Sequence, residues 1–487
     1  MENQENQGNQ ENKSIHLYSE SKSYKLYQGN MLDMLDVIAP SSIDAIVTDP
    51  PYELGFMGKS WDSTGIAFQI DTWRRCFDVL KPGGYLLAFG GSRTFHRIAC
   101  AIEDAGFEIR DTIMWLYDSG FPKSLNMGLA VDKKNAVESK IIGQSDVLDM
   151  RNSGYENNDG NRIMHPIRVA QNEWAGWGTA LKPAYEPIIV ARKPYEGSCV
   201  DNILKYDVGG LNIDECRVPS KPGEYDIRHY TREDCFQNLK PKQSHYQVKP
   251  QPEGRFPANV ILTYDDTDKD EVCGGMPESG SGNNGTPYSY AGREYHNGDY
   301  SMFNGDKPQA PSNYNDNGSA ARYFYCAKAS KRDRDEGLDA FPDKFFGQSG
   351  GAQAAIARGE EYSKGSGFNT AKIRKNTHPT VKPVSLMQYL VRLVLPKGGT
   401  VLDPFNGSGS TGKAVMYENN DRNAEYTYIG IELTPEYLPI SDARIQYALQ
   451  DKTSIQDNNF INKDKSVNKN EKKIISKPKR LFDLPDT

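Results

Sequence analysis

Apolar positions along the chain gather in short runs bounded by turn residues, and order is expected from about Tyr24-Lys25-Leu26-Tyr27 onward. Ile43-Asp44-Ala45-Ile46-Val47-Thr48 reads as a short buried strand that ends in Asp49-Pro50-Pro51-Tyr52. Residues 66–80 carry helical spacing and stop at Lys81-Pro82-Gly83-Gly84. Tyr85–Phe89 is a second apolar strand, followed by Gly90-Gly91 and by Ser92, which suits an N-cap for a helix to Ala105-Gly106. Phe107–Trp115 is a third strand and Pro187–Arg192 another. Strands that are apolar throughout, alternating with helices, predict a parallel sheet covered on both faces. Regularity fails after 193, apart from short strands at Ala258–Leu262 and Tyr323–Tyr325, and residues 273–320 form a Gly/Asn/Ser/Tyr tract. The rhythm returns from His378, with helices at 384–395, 410–418 and 435–448 and strands at 399–402 and 426–431.

This pattern divides the chain into a disordered polar tail (1–20), a first catalytic part (21–192), an insert (193–375), a second part (376–447) and a flexible basic tail (448–487). Hydrophobic residues make up only 37% of 487, and mean hydropathy is −0.70, so a packed domain carries much loop. No run of 18 apolar residues occurs, so no membrane-spanning helix is expected. The start, MENQENQGNQENKS, lacks the basic and apolar regions of a signal peptide. Seven cysteines with no CxxC pair argue against a disulfide framework and a Cys-based zinc site, which makes a reducing cytoplasm the default. His96, His165 and His378 show no metal-ligand spacing, and no metal is expected.

The segment Asp403-Pro404-Phe405-Asn406-Gly407-Ser408-Gly409-Ser410-Thr411-Gly412 lies between a strand and a helix. Its glycines allow a tight turn and close approach to a ligand, at a helix N-terminus that favours an anionic group. Glu432 ends the next strand, where a carboxylate can accept ribose hydroxyls. Gly407, Gly409, Gly412 and Glu432 also fit the spacing of a dinucleotide fingerprint, although only 55 residues follow Glu432 and Asp-Pro-Phe is foreign to it. In Asp49-Pro50-Pro51-Tyr52, a carboxylate at a strand's carboxyl end points into the crevice where open α/β sheets bind ligands. The prolines carry no N–H to compete for the Pro50 carbonyl. Asp49 and that carbonyl offer two acceptors beside the face of Tyr52, an arrangement suited to a planar, amino-bearing base. The bland alternative for either motif alone is a turn that caps a strand.

At these two motifs the chain resembles the DNA amino-methyltransferases that use S-adenosylmethionine and act on exocyclic nitrogens of adenine or cytosine. The DPPY element precedes the glycine loop, as in the circularly permuted beta group, and His378-Pro379-Thr380-Val381-Lys382-Pro383 matches that group's His-Pro-Thr-x-Lys-Pro. Phe89–Arg97 resembles phage- and prophage-associated members. The resemblance implies a Rossmann-like α/β fold: a mostly parallel, seven-stranded, permuted sheet with a long inserted target-recognition region. It implies Asp49, Pro50 and Tyr52 at the target base. Around the cofactor it implies Asp403, Phe405, Asn406, Gly407, Gly409, Thr411, Glu432, Thr380 and Lys382, with Asn30 at the adenine where relatives usually carry Asp.

The net charge of −7 does not advertise a nucleic-acid partner. Phosphate contacts need only local positive charge, however, and residues 321–382 hold twelve Lys/Arg against seven Asp/Glu. Lys331, Arg332, Arg334, Lys372, Arg374 and Lys375 are the candidate DNA contacts. The expected activity is N6-adenine methylation of double-stranded DNA, with N4-cytosine methylation as the alternative; a homodimer is admitted. A non-catalytic DNA- or cofactor-binding protein and a side-chain amide methyltransferase are the rival classes.

Overall fold

The structure, a computed structural model, describes residues 16–55, 60–117, 124–145, 165–218, 254–265, 278–280, 317–319, 324–329, 331–346 and 372–451. Ten strands form its main sheet. In chain order they are β1 (His16–Glu20), β2 (Tyr24–Gln28), β3 (Ile43–Thr48), β4 (Leu80–Phe89), β5 (Glu108–Leu116), β6 (Tyr185–Arg192), β7 (Val260–Asp265), β8 (Tyr325–Ala329), β9 (Thr400–Asp403) and β10 (Thr427–Glu432). Their spatial order is β1-β2-β10-β9-β3-β4-β6-β5-β7-β8. β6 runs antiparallel to both neighbours and β1 antiparallel to β2; every other pairing is parallel.

The sheet is mostly parallel as expected, but it has three strands more than the seven anticipated. One is β1, formed by residues assigned to the disordered tail. The other two are β7 and β8, which come from the region assigned to the insert. Ile261, Leu262 and Ala327 are fully buried, and pairing beside β5 satisfies backbone groups that an open edge would leave bare. Part of the 193–375 region therefore contributes strands to the main sheet. Most of the tyrosine-rich 273–320 tract and the tail beyond 451 lie outside the described residues.

Period-two alternation splits the core into two layers. Ala45, Val47, Leu87 and Phe89 face one side, against the helices Val384–Val394, Ser410–Arg422 and Leu438–Gln450. Ile46, Leu86 and Ala88 face the other, against Met31–Leu35, Ile70–Val79 and Phe95–Asp104. Asp44 survives in β3 because both its oxygens are used: Lys81 Nζ lies 2.6 Å from one, and the Thr400 N–H donates to the other at 2.7 Å. The helix expected to start at Ser92 starts at Phe95, with Thr94 at the cap position. The five-residue helix Met31–Leu35 is too short to show a period. Among the described residues no helix is long and apolar enough to cross a membrane.

Arg392 and Glu418 join two helices of the first layer with a buried two-pronged ion pair, at 3.0 Å (Nε) and 2.6 Å (Nη2). Glu418→Ala would take the two-pronged carboxylate from a buried guanidinium, and chemical denaturation should show a loss of about 3–5 kcal/mol. The apolar pair Arg392→Met with Glu418→Leu should cost clearly less.

Candidate active site

β3 and β9 lie side by side and parallel, with Val401 beside Ala45 and Leu402 beside Ile46. Their carboxyl ends carry Asp49 and Asp403 into a cleft of ≈ 1610 Å³. Thr48 Oγ1 donates to Asp403 Oδ1 at 2.6 Å and thereby ties the two strand ends together.

On the β3 side, Asp49, Pro50 and Tyr52 all line the cleft. Tyr52 is held from two directions. Its carbonyl accepts from Thr94 Oγ1 (2.8 Å), which explains why Thr94 is not spent as a helix cap. Its phenol donates to Glu186 Oε2 (2.8 Å). Burial, and then the charges of Asp49 and Glu186, push that phenol well above its ordinary range. The backbone just beyond is pinned by Asp62, whose oxygens accept from the Glu53 and Leu54 N–H groups.

Lys382 was expected beside the cofactor. Its ammonium lies instead beneath the DPPY motif, 2.8 Å from Asp49 Oδ2, 3.1 Å from Glu186 Oε2 and 3.1 Å from Tyr52 Oη. The two carboxylates outweigh burial and raise its pKa. Asp49 Oδ1 is buried with no hydrogen-bond partner among the described residues. Glu186 was missed because one acid at the start of an apolar strand carries no motif; only its place next to Tyr185 and Pro187, opposite Trp115, brings it to the site.

On the β9 side, Asp403, Phe405, Asn406, Gly407, Thr411, Glu432, Thr380 and Asn30 all line the cleft. Their roles divide. Asp403 has no free oxygen, since Thr48, Thr411 Oγ1 (2.7 Å) and the Phe405 N–H (3.1 Å) use both; it shapes the loop. Burial lifts its pKa to about 6. Glu432 accepts the Gly407 N–H at 2.6 Å and the Thr434 N–H at 2.8 Å, and burial lifts it to about 7. Asn30 Oδ1 caps the helix Met31–Leu35, which leaves its amide N–H groups as donors. Gly409, expected at the cofactor, turns away from the cleft: a Cβ there would meet Ser441 Oγ at 2.4 Å. Gly412 allows close packing, because its Cβ would strike Ile445 and Tyr428 at 2.6 Å. His378 stands behind Gly407, donating from Nδ1 to the Thr380 carbonyl, and burial drops its pKa to about 3.

Among the described side chains, the candidate DNA contacts Arg334, Arg374 and Lys375 do not form one outward face. Arg334 lines the cleft and donates to the carbonyls of His378 (2.9 Å) and Pro379 (3.3 Å); burial and Arg374 push it down to about 10. Its neighbours Asp333 and Glu336 hold the buried Lys413 at 3.2 and 2.8 Å, so this stretch is keyed to the helix behind the glycine loop. Lys375 is tied to Asp339, donating to its carbonyl at 3.0 Å. Arg374 lies in the strand Lys372–Arg374 and is half-buried. The side chains of Lys331, Arg332 and Lys372 lie outside the described residues.

A family model described as DNA methylase matches residues 43–443. The Type II methyltransferase M.HindIII of Haemophilus influenzae is 26% identical over 147 residues, 29% of this chain and 38% of its own length. M.HpaI of Haemophilus parainfluenzae, also a Type II methyltransferase, is 31% identical over 109 residues, 20% of this chain and 34% of its own. The chain thus spans little more than a third of these curated relatives. Among solved structures, M1.HpyAVI aligns with 87% of this chain and 98% of its own at 14% identity, with a TM-score of 0.33.

Asp403 and Glu432 bind protons more tightly folded than unfolded. Between about pH 4 and pH 7 the folded state therefore holds the extra protons, and stability contributed by these groups falls as pH rises through that window. Urea midpoints measured from pH 4.5 to 7.5 should decline less steeply for Glu432→Gln than for the natural chain.

Proposed function

The chain belongs to the DNA methylase family, and we propose that it moves a methyl group from S-adenosylmethionine to the exocyclic amine of a base turned out of duplex DNA, with the N6 amine of adenine as the target. One observation carries this reading. Asp49 Oδ1 is buried and has no hydrogen-bond partner among the described residues, at the end of a strand, in a motif with the Pro50 carbonyl and the Tyr52 ring. Leaving a carboxylate oxygen buried and unsatisfied costs about 1–3 kcal/mol or more, a cost removed when an amine N–H arrives.

The residues present fit the cofactor. Glu432 offers carboxylate oxygens at the end of β10 for ribose hydroxyls, Asn30 offers donors close by, and the backbone of Phe405–Gly407 walls the cleft between them. The bound cofactor would supply an electrophilic methyl group to the amine and leave as the neutral thioether, and the proton shed by the nitrogen would pass to solvent water. The amine's lone pair is otherwise delocalised into the base. Hydrogen bonds to Asp49 and the Pro50 carbonyl localise it, and they strengthen as positive charge grows on nitrogen, which favours the transition state. Turning the base out costs a few kcal/mol. Stacking on Tyr52 returns about 1–3 kcal/mol.

The DPPY form supports adenine over cytosine. Free thiols at Cys76, Cys100, Cys199, Cys216 and Cys326 support a cytoplasmic site of action, and a homodimer rests on the resemblance alone.

Single-molecule sequencing of DNA from cells expressing the chain tests the proposal. N6-methyladenine at one recurring sequence is expected. N4-methylcytosine there would transfer the assignment to the cytosine reaction, and unmodified DNA despite cofactor and DNA binding would make the protein a non-catalytic binder. Asp49→Ala should lower turnover about 10²–10³-fold with cofactor affinity within a factor of two of the natural chain. Glu432→Ala should weaken cofactor binding about tenfold or more by calorimetry. Binding of NAD in its place would restore the dinucleotide reading.

A further inference from the structure

We propose that Glu186, acting through Lys382, is a charge-positioning residue that keeps the transfer centre one negative charge beyond neutrality; this rests on the methyltransferase reading and deepens it. The Lys382 ammonium has three donors and three acceptors in reach: Asp49 Oδ2, Glu186 Oε2 and Tyr52 Oη. Rings of Tyr52, Phe89 and Trp115 surround it within 5.2, 4.9 and 6.0 Å. It is therefore saturated and fixed, and it fixes Asp49 in turn by one oxygen while the other, buried, has no hydrogen-bond partner among the described residues.

The sum of charges gives Glu186 its role. With Asp49 and Lys382 alone, the cluster would be neutral and would not attract a nitrogen that becomes cationic during transfer. Glu186 supplies a second carboxylate on the same ammonium, so the cluster carries −1. A simple structural ion pair has no need of a second acid, and burying an extra charge is costly unless something rewards it. Asp403 stands apart from this ammonium, since its oxygens accept from Thr48, Thr411 and the Phe405 N–H at the end of β9. Glu186 also receives the Tyr52 phenol, so the same residue sets the ring's place and the local charge.

The test compares binding of S-adenosylmethionine, whose sulfur is cationic, with that of S-adenosylhomocysteine, whose sulfur is neutral. Calorimetry gives the ratio of the two affinities without any turnover. A unit charge in partly screened surroundings changes such a ratio by about ten- to a hundredfold. Glu186→Gln should therefore reduce the preference for the cationic ligand about tenfold or more, with homocysteine-ligand affinity little changed. Glu186→Asp, which keeps the charge, should retain the preference. The double variant Glu186→Gln with Lys382→Met returns the cluster to −1 and should recover it. In turnover, Glu186→Gln should lower kcat about tenfold or more with KM for DNA unchanged. An unmoved affinity ratio in Glu186→Gln overturns the inference, and so does an equal loss for both ligands, which would mark a merely structural role. If Glu186→Gln fails to fold, Lys382→Met alone takes the cluster from −1 to −2 and should raise the preference for the cationic ligand, and an unmoved ratio there overturns the inference. Failure of the natural chain to methylate any DNA would instead overturn the methyltransferase reading itself.

Discussion

The pairing of β3 with β9 is the constraint on which the site depends. Each strand ends in a motif that means little alone, and parallel registry places both ends at one level. The Thr48–Asp403 hydrogen bond then converts adjacency into a fixed geometry. Because Asp403 accepts from Thr48, Thr411 and the Phe405 N–H, the glycine loop is shaped from below, and Glu432, Asn30 and backbone groups line the cleft at that end. The cleft thus has two chemistries. One end offers carboxylate and backbone groups for a polar ligand; the other holds a caged ammonium beneath one open carboxylate oxygen.

Buried charge is concentrated behind this cleft. Lys413 is fully buried against Asp333 and Glu336, and Arg444, also buried, donates to Ser408 and to the Asp333 carbonyl. These contacts bind a short stretch of the insert to the helix that follows the glycine loop and to the helix Leu438–Gln450. The insert is therefore joined to the catalytic half in two ways, through two strands at the sheet edge and through this polar clasp. A clasp of several charges is costly to bury and strongly directional, and it tolerates one arrangement only.

The α/β rhythm was legible because the central strands are apolar on both faces and therefore read as unbroken runs. DPPY and the glycine loop were legible because backbone approach and acceptor placement need particular residues in a row. Three things were not. β1 carries mixed polarity at an edge, and its partner is chosen by geometry, not by its own pattern. Glu186 and Lys382 lie almost two hundred residues apart, and their meeting depends on the antiparallel insertion of β6 between β4 and β5. Arg334 looked like part of a basic surface because sequence shows charge but not direction; its guanidinium points inward, to two carbonyls of the HPT turn. The same blindness made Gly409 and Gly412 look like ligand contacts, when one frees a turn and the other lets a helix lie close to a strand.

The distance along the chain between the two strand ends has a consequence for synthesis. Thr48 and Asp403 are 355 positions apart. A ribosome working at about 5–20 residues per second leaves β3 without its β9 neighbour for roughly 20–70 seconds. For that time an apolar strand that ends as the middle of a sheet is an edge, open to any other unpaired strand it meets. The nascent first half can gather β4, β5 and β6 beside it, but the side that will face the cofactor loop waits for the last part of the chain, and crowded expression would be the condition under which that wait becomes visible as aggregation.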